Sequence, residues 1–598
     1  MGMLAEIRSN WLTVRGLSRT LKLIGPLTPD AKQLVPDDLE KSVDRFAINV
    51  AIRFGDDFWT YAELDAYANR VANWALAQGL AAGDCVALFM ENRKEYVPIW
   101  YGLTKIGVVT ALINHNLHGE ALAHCANICH ARHLIYGAKQ DDAIDSVRGR
   151  LEGDPGLWTL GGETGADHAD LGAALRAQPA ERPGREHRAH LRGKDLALYV
   201  YTSGTTGLPK AARLTHIRVQ AMMRTFIAPC RFGPKDRIYI TLPLYHGTGG
   251  LCGVGGALNT GASIILREKF SASHFWEDAV KYQATAFTYI GELCRYLVNS
   301  PTHPQERRHR IRTGLGNGLR PEIWEEFMKR FRIPHLAEFY GSTEGNVSFV
   351  NFDGKVGAVG KIPGLVADRF SHVRFVKFDV EREQPVRDAS GFCVDCADNE
   401  VGEAIGRIGE GLRGRFEGYN DPEATKKKIL RDVFEKGDMW FRTGDLLRKD
   451  AQGYVYFVDR IGDTFRWKGE NVSTNEVAEV MSQVEGIETA NVYGVPVPGM
   501  DGKAGMAAIT GDDDLDMQAL YAHLHDELPA YAVPLFIRRQ AEAETTGTFK
   551  YRKVDLVRDG FDPATVTDPL WFANAEAGRY DPLTAATHAA IGAGKLRL

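Results

Sequence analysis

The stretch Tyr201-Thr-Ser-Gly-Thr-Thr-Gly-Leu-Pro-Lys210 concentrates groups suited to holding a polyphosphate. Hydroxyls come from Thr202, Ser203, Thr205 and Thr206. Gly204 and Gly207 let backbone amides point at phosphate oxygens, and Lys210 adds a point charge. The spacing is not that of the G-x-x-x-x-G-K-[ST] loop. A bare Gly/Ser/Thr turn is usually structural, but this ordered set directly after a strand points to phosphate binding. Two Cys/His clusters have tolerable metal spacing: His124-Cys125-x-x-x-Cys129-His130-x-x-His133 and Cys393-x-x-Cys396. The first lies in an apolar, helix-like stretch, so both are read as small core cysteines near surface histidines.

The phosphate loop needs a scaffold, and the patterning supplies one. A buried strand over 196–202 runs straight into it. Upstream, 61–78 reads as a helix, 85–90 as a short buried strand and 97–106 as a second helix, which is α/β rhythm. Strand-turn units recur at 238–242, 263–266 and 286–290. Residues 161–195 are polar and rich in Gly, Pro and Arg, and read as a surface connection. From 352 to 418 the period shortens, as in a small β region. A compact α+β pattern follows the Asp459–Gly462 junction: helix 474–482, strands 489–495 and 505–509, helix 517–528. The expected organisation is an N-terminal segment 1–30, a large domain 31–461, a small mobile domain 462–568 and a tail 569–598.

Composition narrows the class. Gly makes up 62 of the 598 residues, about 10% against a usual ~7%. With no collagen-like period or Gly/Ser tract, many of these glycines belong to turns that approach a ligand closely. The 72 basic and 77 acidic residues leave a net charge of −5, with no global footprint for nucleic acid. Eight cysteines fit a reduced, intracellular setting. No apolar run reaches the ~18 residues of a spanning helix. Residues 7–29 carry four basic groups and no acidic one. On a helical wheel Val14, Leu17, Leu21 and Ile24 cluster opposite Arg8, Arg15, Arg19 and Lys22. Such a helix either packs on the protein's own core or lies on an anionic membrane. The expected location is cytoplasmic, with peripheral contact at the inner face of the cell membrane.

The 201–210 stretch resembles the phosphate-loop signature of adenylate-forming enzymes, the superfamily of acyl-CoA synthetases, peptide-synthetase adenylation domains and luciferases. The likeness runs from about Phe54 to Asp555. Its wording is closest to the fatty acid transport protein / very-long-chain acyl-CoA synthetase branch. Tyr340-Gly341-Ser-Thr343-Glu344-Gly-Asn is similar to the second core motif. The resemblance implies that Tyr340 stacks on adenine, Thr343 contacts the α-phosphate and Glu344 holds Mg²⁺. Gly316-Asn317-Gly318 corresponds to the loop bordering adenine. In Phe441-Arg-Thr-Gly-Asp445, Asp445 would accept the ribose hydroxyls. Asp459-Arg460-Ile-Gly462-Asp463 looks like the domain junction, with Arg460 on the nucleotide. The usual hinge Asp or Lys is replaced by Gly462, which spreads the pivot over Gly462 and Asp463. The loop Lys468-Gly469-Glu470 resembles the segment lining the thiol channel. Phe549-Lys550 replaces the usual Gly-Lys of the catalytic-lysine motif, and Lys550 would bridge carboxylate and α-phosphate. His246, in Leu-Pro-Leu-Tyr-His-Gly-Thr-Gly-Gly, would gate the acyl pocket or merely pack.

The implied fold is α/β: two stacked α/β subdomains plus a small β-barrel region in the large domain, and a mobile α+β C-terminal domain. The implied reaction joins a long- or very-long-chain fatty acid to coenzyme A through acyl-AMP, with ATP and Mg²⁺. It would couple to fatty acid uptake by trapping the acid as thioester. The alternatives are an acyl-AMP ligase loading a carrier protein, a ligase for a bulky steroid-type acid, and a non-enzymatic fatty-acid transporter. Oligomeric state is left open, a dimer included.

Overall fold

The computed structural model describes residues 3–161, 168–202, 208–364, 370, 372–380, 382–468, 470–498, 500, 502–544, 553–593 and 595–596. Two large sheets form the body of the big domain. One runs, from edge to edge, Ala169–Asp170, Gly156–Leu160, Ala131–Gly137, Cys85–Phe89, Val109–Leu112, Leu196–Thr202 and Lys210–Thr215. All its pairings are parallel except the last. The other has eight strands, with Thr313–Asn317 and Leu336–Gly341 side by side near one edge. Parallel strands are covered on both faces and so read as continuous apolar runs; Cys85–Phe89 is buried at every residue. The Tyr61–Ala77 helix starts where the sequence places it, because Thr60 and Glu63 form a reciprocal capping box.

A third, antiparallel sheet of seven strands includes Val373–Asp379, Val401–Arg407, Met439–Lys449 and Tyr454–Arg460. The chain then passes Gly462 into the small domain. Its five strands lie in the order Ile487–Pro496, Lys503–Gly511, Phe536–Arg539, Leu570–Asn574 and Arg579–Pro582. Residues 569–598, expected as a tail, therefore supply the last two strands of this sheet and the Ala585–Gly592 helix. The Tyr580 ring is buried and its hydroxyl donates to Pro534 O at 2.7 Å. Alternation over a four- or five-residue strand is too short to stand out in an Ala/Gly-rich stretch.

Two other expectations need correction. The 161–195 connection is not merely superficial. Leu171 and Leu175 are buried, and the Arg188 guanidinium bridges Asp37 at 2.9 Å and Glu40 at 2.6 Å. The same network encloses the Lys105 ammonium, which reaches Glu40 at 3.0 Å and Asp65 at 2.8 Å. The N-terminal helix, Met3–Ile24, fully buries Ser9, Thr13 and Thr20 rather than its leucines. Leu17, Leu21 and Ile24 are only half-buried. Among the described residues no helix is long and apolar enough to cross a membrane.

Candidate nucleotide and acyl site

Strand Leu196–Thr202 and strand Lys210–Thr215 form a hairpin in which Thr202 pairs with Lys210. Both ends of the phosphate loop are thus fixed at one point. Ser203, Gly204, Thr205, Thr206 and Gly207 lie outside the described residues, as do Gly469 and Lys550. The Lys210 ammonium sits 5.9 Å from the Tyr419 ring centroid. Tyr419 Oη in turn donates to Glu344 Oε1 at 2.7 Å. Glu344 is buried, and this bond holds one carboxylate oxygen in place.

Glu344 follows the end of the Leu336–Gly341 strand. Behind it stands Arg218 from the His216–Thr225 helix. Its guanidinium donates to Ser342 O at 2.8 Å and from Nε to Thr343 O at 3.2 Å. Burial lowers the Arg218 pKa and the nearby Glu344 charge opposes that shift. Arg218 therefore clamps the turn carrying Thr343 and Glu344. Three residues before Thr343, Tyr340 is buried and its hydroxyl donates to Asp445 Oδ2 at 2.6 Å. Asp445 pairs with Arg460 across the antiparallel sheet. Tyr340, Asp445 and Arg460, far apart in sequence, therefore share one wall.

The Gly316-Asn317-Gly318 loop has its own support. Gly318 adopts φ +77°, a left-handed conformation that glycine takes without cost. Glu338 accepts from Tyr289 Oη at 2.7 Å and from Leu319 N at 3.1 Å. Burial pushes its carboxyl up to about 8, with the Tyr289 bond opposing. Asn317 Oδ1 accepts from Thr248 Oγ1 at 3.4 Å. His246 precedes a wide helical turn, Gly247–Gly253. Asn92 fixes that segment, donating to Leu242 O at 2.9 Å and accepting from Leu244 N at 2.8 Å.

One cavity of about 1280 Å³ joins these groups. Thr202, Lys210, Thr343, Glu344, Asp445 and Arg460 line its polar end, and Gly341, Tyr340, Asn317 and His246 also face it. Single small-molecule sites usually occupy roughly 300–1,000 Å³, so there is room for more than a nucleotide. The lining also includes the apolar side chains of Leu17, Leu21, Met222, Phe226, Phe339 and Val350. Among the described residues that line it, none lies beyond Gly462. Lys468 and Glu470 instead occupy the tip of a hairpin between Phe465–Trp467 and Glu470–Val472, where Lys468 has φ +51°. Gly462 has φ +94° and nothing within 4 Å of where a Cβ would stand. Asp463 pairs with Lys553 at 3.2 Å.

Arg218, Tyr419, Glu338 and Asn92 are functional supports that sequence reading did not single out. No short motif marks them, since each acts on a residue more than fifteen positions away.

The AMP-binding enzyme family matches residues 39–394, and the AMP-binding enzyme C-terminal domain matches 476–550. The chain belongs to that family. Within it, the chain is 45% identical over 551 residues to long-chain fatty acid transport protein 1 of Mus musculus, covering 90% of this chain and 84% of the relative. It is 44% identical to long-chain fatty acid transport protein 2 of Rattus norvegicus, covering 90% and 87%. It is thus a member of the fatty acid transport protein branch. The crystal structure of ATP-bound MatB from Rhodopseudomonas palustris shares the fold, with a TM-score of 0.72 and 24% identity over 88% of this chain and 98% of that one.

Proposed function

We propose that this chain is a long- or very-long-chain fatty acid–CoA ligase. The observation carrying the reading is that one cavity of about 1280 Å³ is lined both by Lys210, Tyr340, Asp445 and Arg460 and by the apolar side chains of Leu17, Leu21, Met222, Phe226 and Phe339. The fatty acid carboxylate attacks the α-phosphorus of ATP, giving acyl-AMP and pyrophosphate. The coenzyme A thiol then attacks the acyl carbonyl, giving the thioester and releasing AMP. A carboxylate is a weak nucleophile, so positioning and charge neutralisation carry the first step.

Tyr340 presents its ring to adenine, Asp445 accepts the ribose hydroxyls, and Arg460 contacts the nucleotide. Lys210 and the phosphate loop hold the β- and γ-phosphates, while Thr343 meets the α-phosphate. Lys550 bridges the carboxylate and α-phosphate. A single buried carboxylate, Glu344, with one oxygen bonded by Tyr419, suits Mg²⁺. That ion binds through one or two carboxylates plus substrate phosphates rather than through an all-protein cage. Bound there, it would neutralise triphosphate charge. For the second step the small domain turns about Gly462 and Asp463, withdrawing Lys550 and bringing Lys468–Glu470 toward the thiol path.

Burying about 14 methylenes of a palmitoyl-sized chain at ~0.8 kcal/mol each is worth roughly 11 kcal/mol, which favours a long acid for the apolar lining. Uptake of the acid would follow from its trapping as thioester. Pyrophosphate release measured against acids from C6 to C26, with and without coenzyme A, tests the reading. It is expected to peak at long acids and to need coenzyme A for turnover. Turnover with a phosphopantetheinylated carrier protein, but not with coenzyme A, would replace it by carrier loading.

The outer face of the N-terminal helix supports peripheral membrane contact. Ile7 and Trp11 are 58% and 55% exposed. Arg8, Arg15, Arg19 and Lys22 are exposed beside them, with the Arg15 guanidinium 4.8 Å above the Trp11 ring. An aromatic flanked by cations suits the headgroup region of an anionic bilayer. In flotation with phosphatidylserine vesicles, Trp11→Ala combined with Arg15→Gln is expected to lose most binding. Undiminished binding would leave this face with no membrane role.

A further inference from the structure

The cavity has a wall that the matched family region does not include. That region begins at residue 39, whereas the N-terminal helix ends at Ile24. This helix lies along the His216–Thr225 and Ile227–Cys230 helices. It is pinned at both ends. Near its start, Ser9 Oγ donates to Asp353 Oδ2 at 2.5 Å and accepts from Lys361 Nζ at 2.7 Å. Near its end, Leu23 O accepts from Arg224 Nη1 at 3.0 Å. In between, Gly16 brings the backbone so near Phe352 that a Cβ would stand 2.3 Å from its ring. A helix held this closely has a fixed inner face. That face presents half-buried Leu17, Leu21 and Ile24 to the cavity.

Among the residues lining the cavity, Thr248 and Asn317 are tied by a hydrogen bond, and a Cβ on Gly253, beside Cys252, would stand 2.7 Å from the Thr288 side chain. Those groups are closely packed. Gly247 lies against Met222, where a Cβ would stand 2.9 Å from Met222 Cε; the Met222 side chain is unbranched and can yield to an acyl chain. The lining also includes Phe226, Phe339 and Val350, with Leu17, Leu21 and Ile24 of the N-terminal helix.

We propose that the N-terminal helix is the specificity wall for the acyl chain, with Leu17 and Leu21 setting the length and width of acid accepted. The inference rests on the ligase reading and adds to it the element that measures the substrate. Each methylene laid against this wall is worth about fourfold in affinity. Filling the wall therefore penalises long acids selectively.

The test compares Leu17→Trp, Leu21→Trp and Leu17→Ala with the unaltered full chain. Pyrophosphate release is read for C8, C16 and C20 acids, and direct binding is read with cis-parinaric acid, a fluorescent C18 acid. Either Trp variant should lower the C16-to-C8 ratio of kcat/KM at least tenfold. Leu17→Ala should move the ratio the other way, toward C20. Opposite shifts cannot come from a damaged fold. An unchanged ratio, or an equal loss at every length in both Trp variants, overturns the proposal. Parinarate binding needs no turnover. If no acid releases pyrophosphate from the unaltered chain, the ligase reading falls. The wall then stands if parinarate binds at least tenfold more weakly to the Trp variants, and falls if it does not.

Discussion

Glu338 shows how a residue outside every motif can govern the site. It lies on the strand that leads to Tyr340, and it holds the Leu319 amide beside the Gly316–Gly318 loop. Burial raises its carboxyl from the ordinary 4.5 to about 8. The folded state then keeps a proton that the unfolded chain sheds. Its contribution to stability is complete below about pH 4.5 and is lost as pH rises through about 8, at up to ~1.4 kcal/mol per pH unit. Glu338→Gln should flatten the fall of thermal midpoint between pH 5 and 8. An identical slope in both proteins would remove Glu338 from this role. The cavity-lining residues legible in sequence are those in contiguous motifs, such as Thr202, Lys210, Tyr340 to Glu344 and Asp445. Arg218 and Tyr419 are not, because their partners stand 124 and 75 positions away and nothing local distinguishes them from ordinary helix and loop residues.

At the scale of elements, period and punctuation carried far. The strands Leu196–Thr202, Ser263–Leu266 and Ala286–Ile290 begin and end where their apolar runs do. The last strands of the small domain and the buried face of the N-terminal helix were obscured, because pairing and shape, rather than hydrophobicity, place them. Thr13 and Thr20 face inward since Gly16 and small side chains allow close approach there. The backbone at Gly462, where we propose the pivot, has the plainest chemistry. Gly462 sits at φ +94° with open space around its missing side chain. The constraint at this position is backbone conformation, and proline is locked near −65°. Gly462→Pro should slow acyl-CoA formation from added acyl-AMP at least tenfold more than it slows pyrophosphate release. Equal kinetics of both half-reactions in variant and parent would take the pivot away from this residue.

For the whole molecule, the contact between domains carries a titratable group. Glu322, at the start of the Pro321–Phe331 helix, has both carboxylate oxygens buried without a hydrogen-bond partner. Facing it are Glu479 of the small domain's Thr474–Met481 helix and Arg320, whose guanidinium reaches Ser482 Oγ at 3.3 Å. Burial first, then the Glu479 charge, raises Glu322 to about 7, with Arg320 opposing. A proton on Glu322 thus favours this docked arrangement, and the advantage is lost as pH rises through about 7. Small-angle scattering between pH 6 and 8 should show the parent protein opening with rising pH and Glu322→Gln remaining unchanged. A flat profile for the parent would dismiss the effect.

The strands Leu570–Asn574 and Arg579–Pro582 also set an order in time. Chains emerge from the ribosome N-terminus first and domains fold largely as they appear. The wall formed by Tyr340, Asp445 and Arg460 is therefore made before the small domain. That domain's sheet cannot close until Arg579–Pro582 is made. A nascent chain ending before Leu570 would present that wall beside an open-edged small domain. Closure of the small domain is thus withheld until these two strands appear, and damage to them is felt by the whole five-stranded sheet.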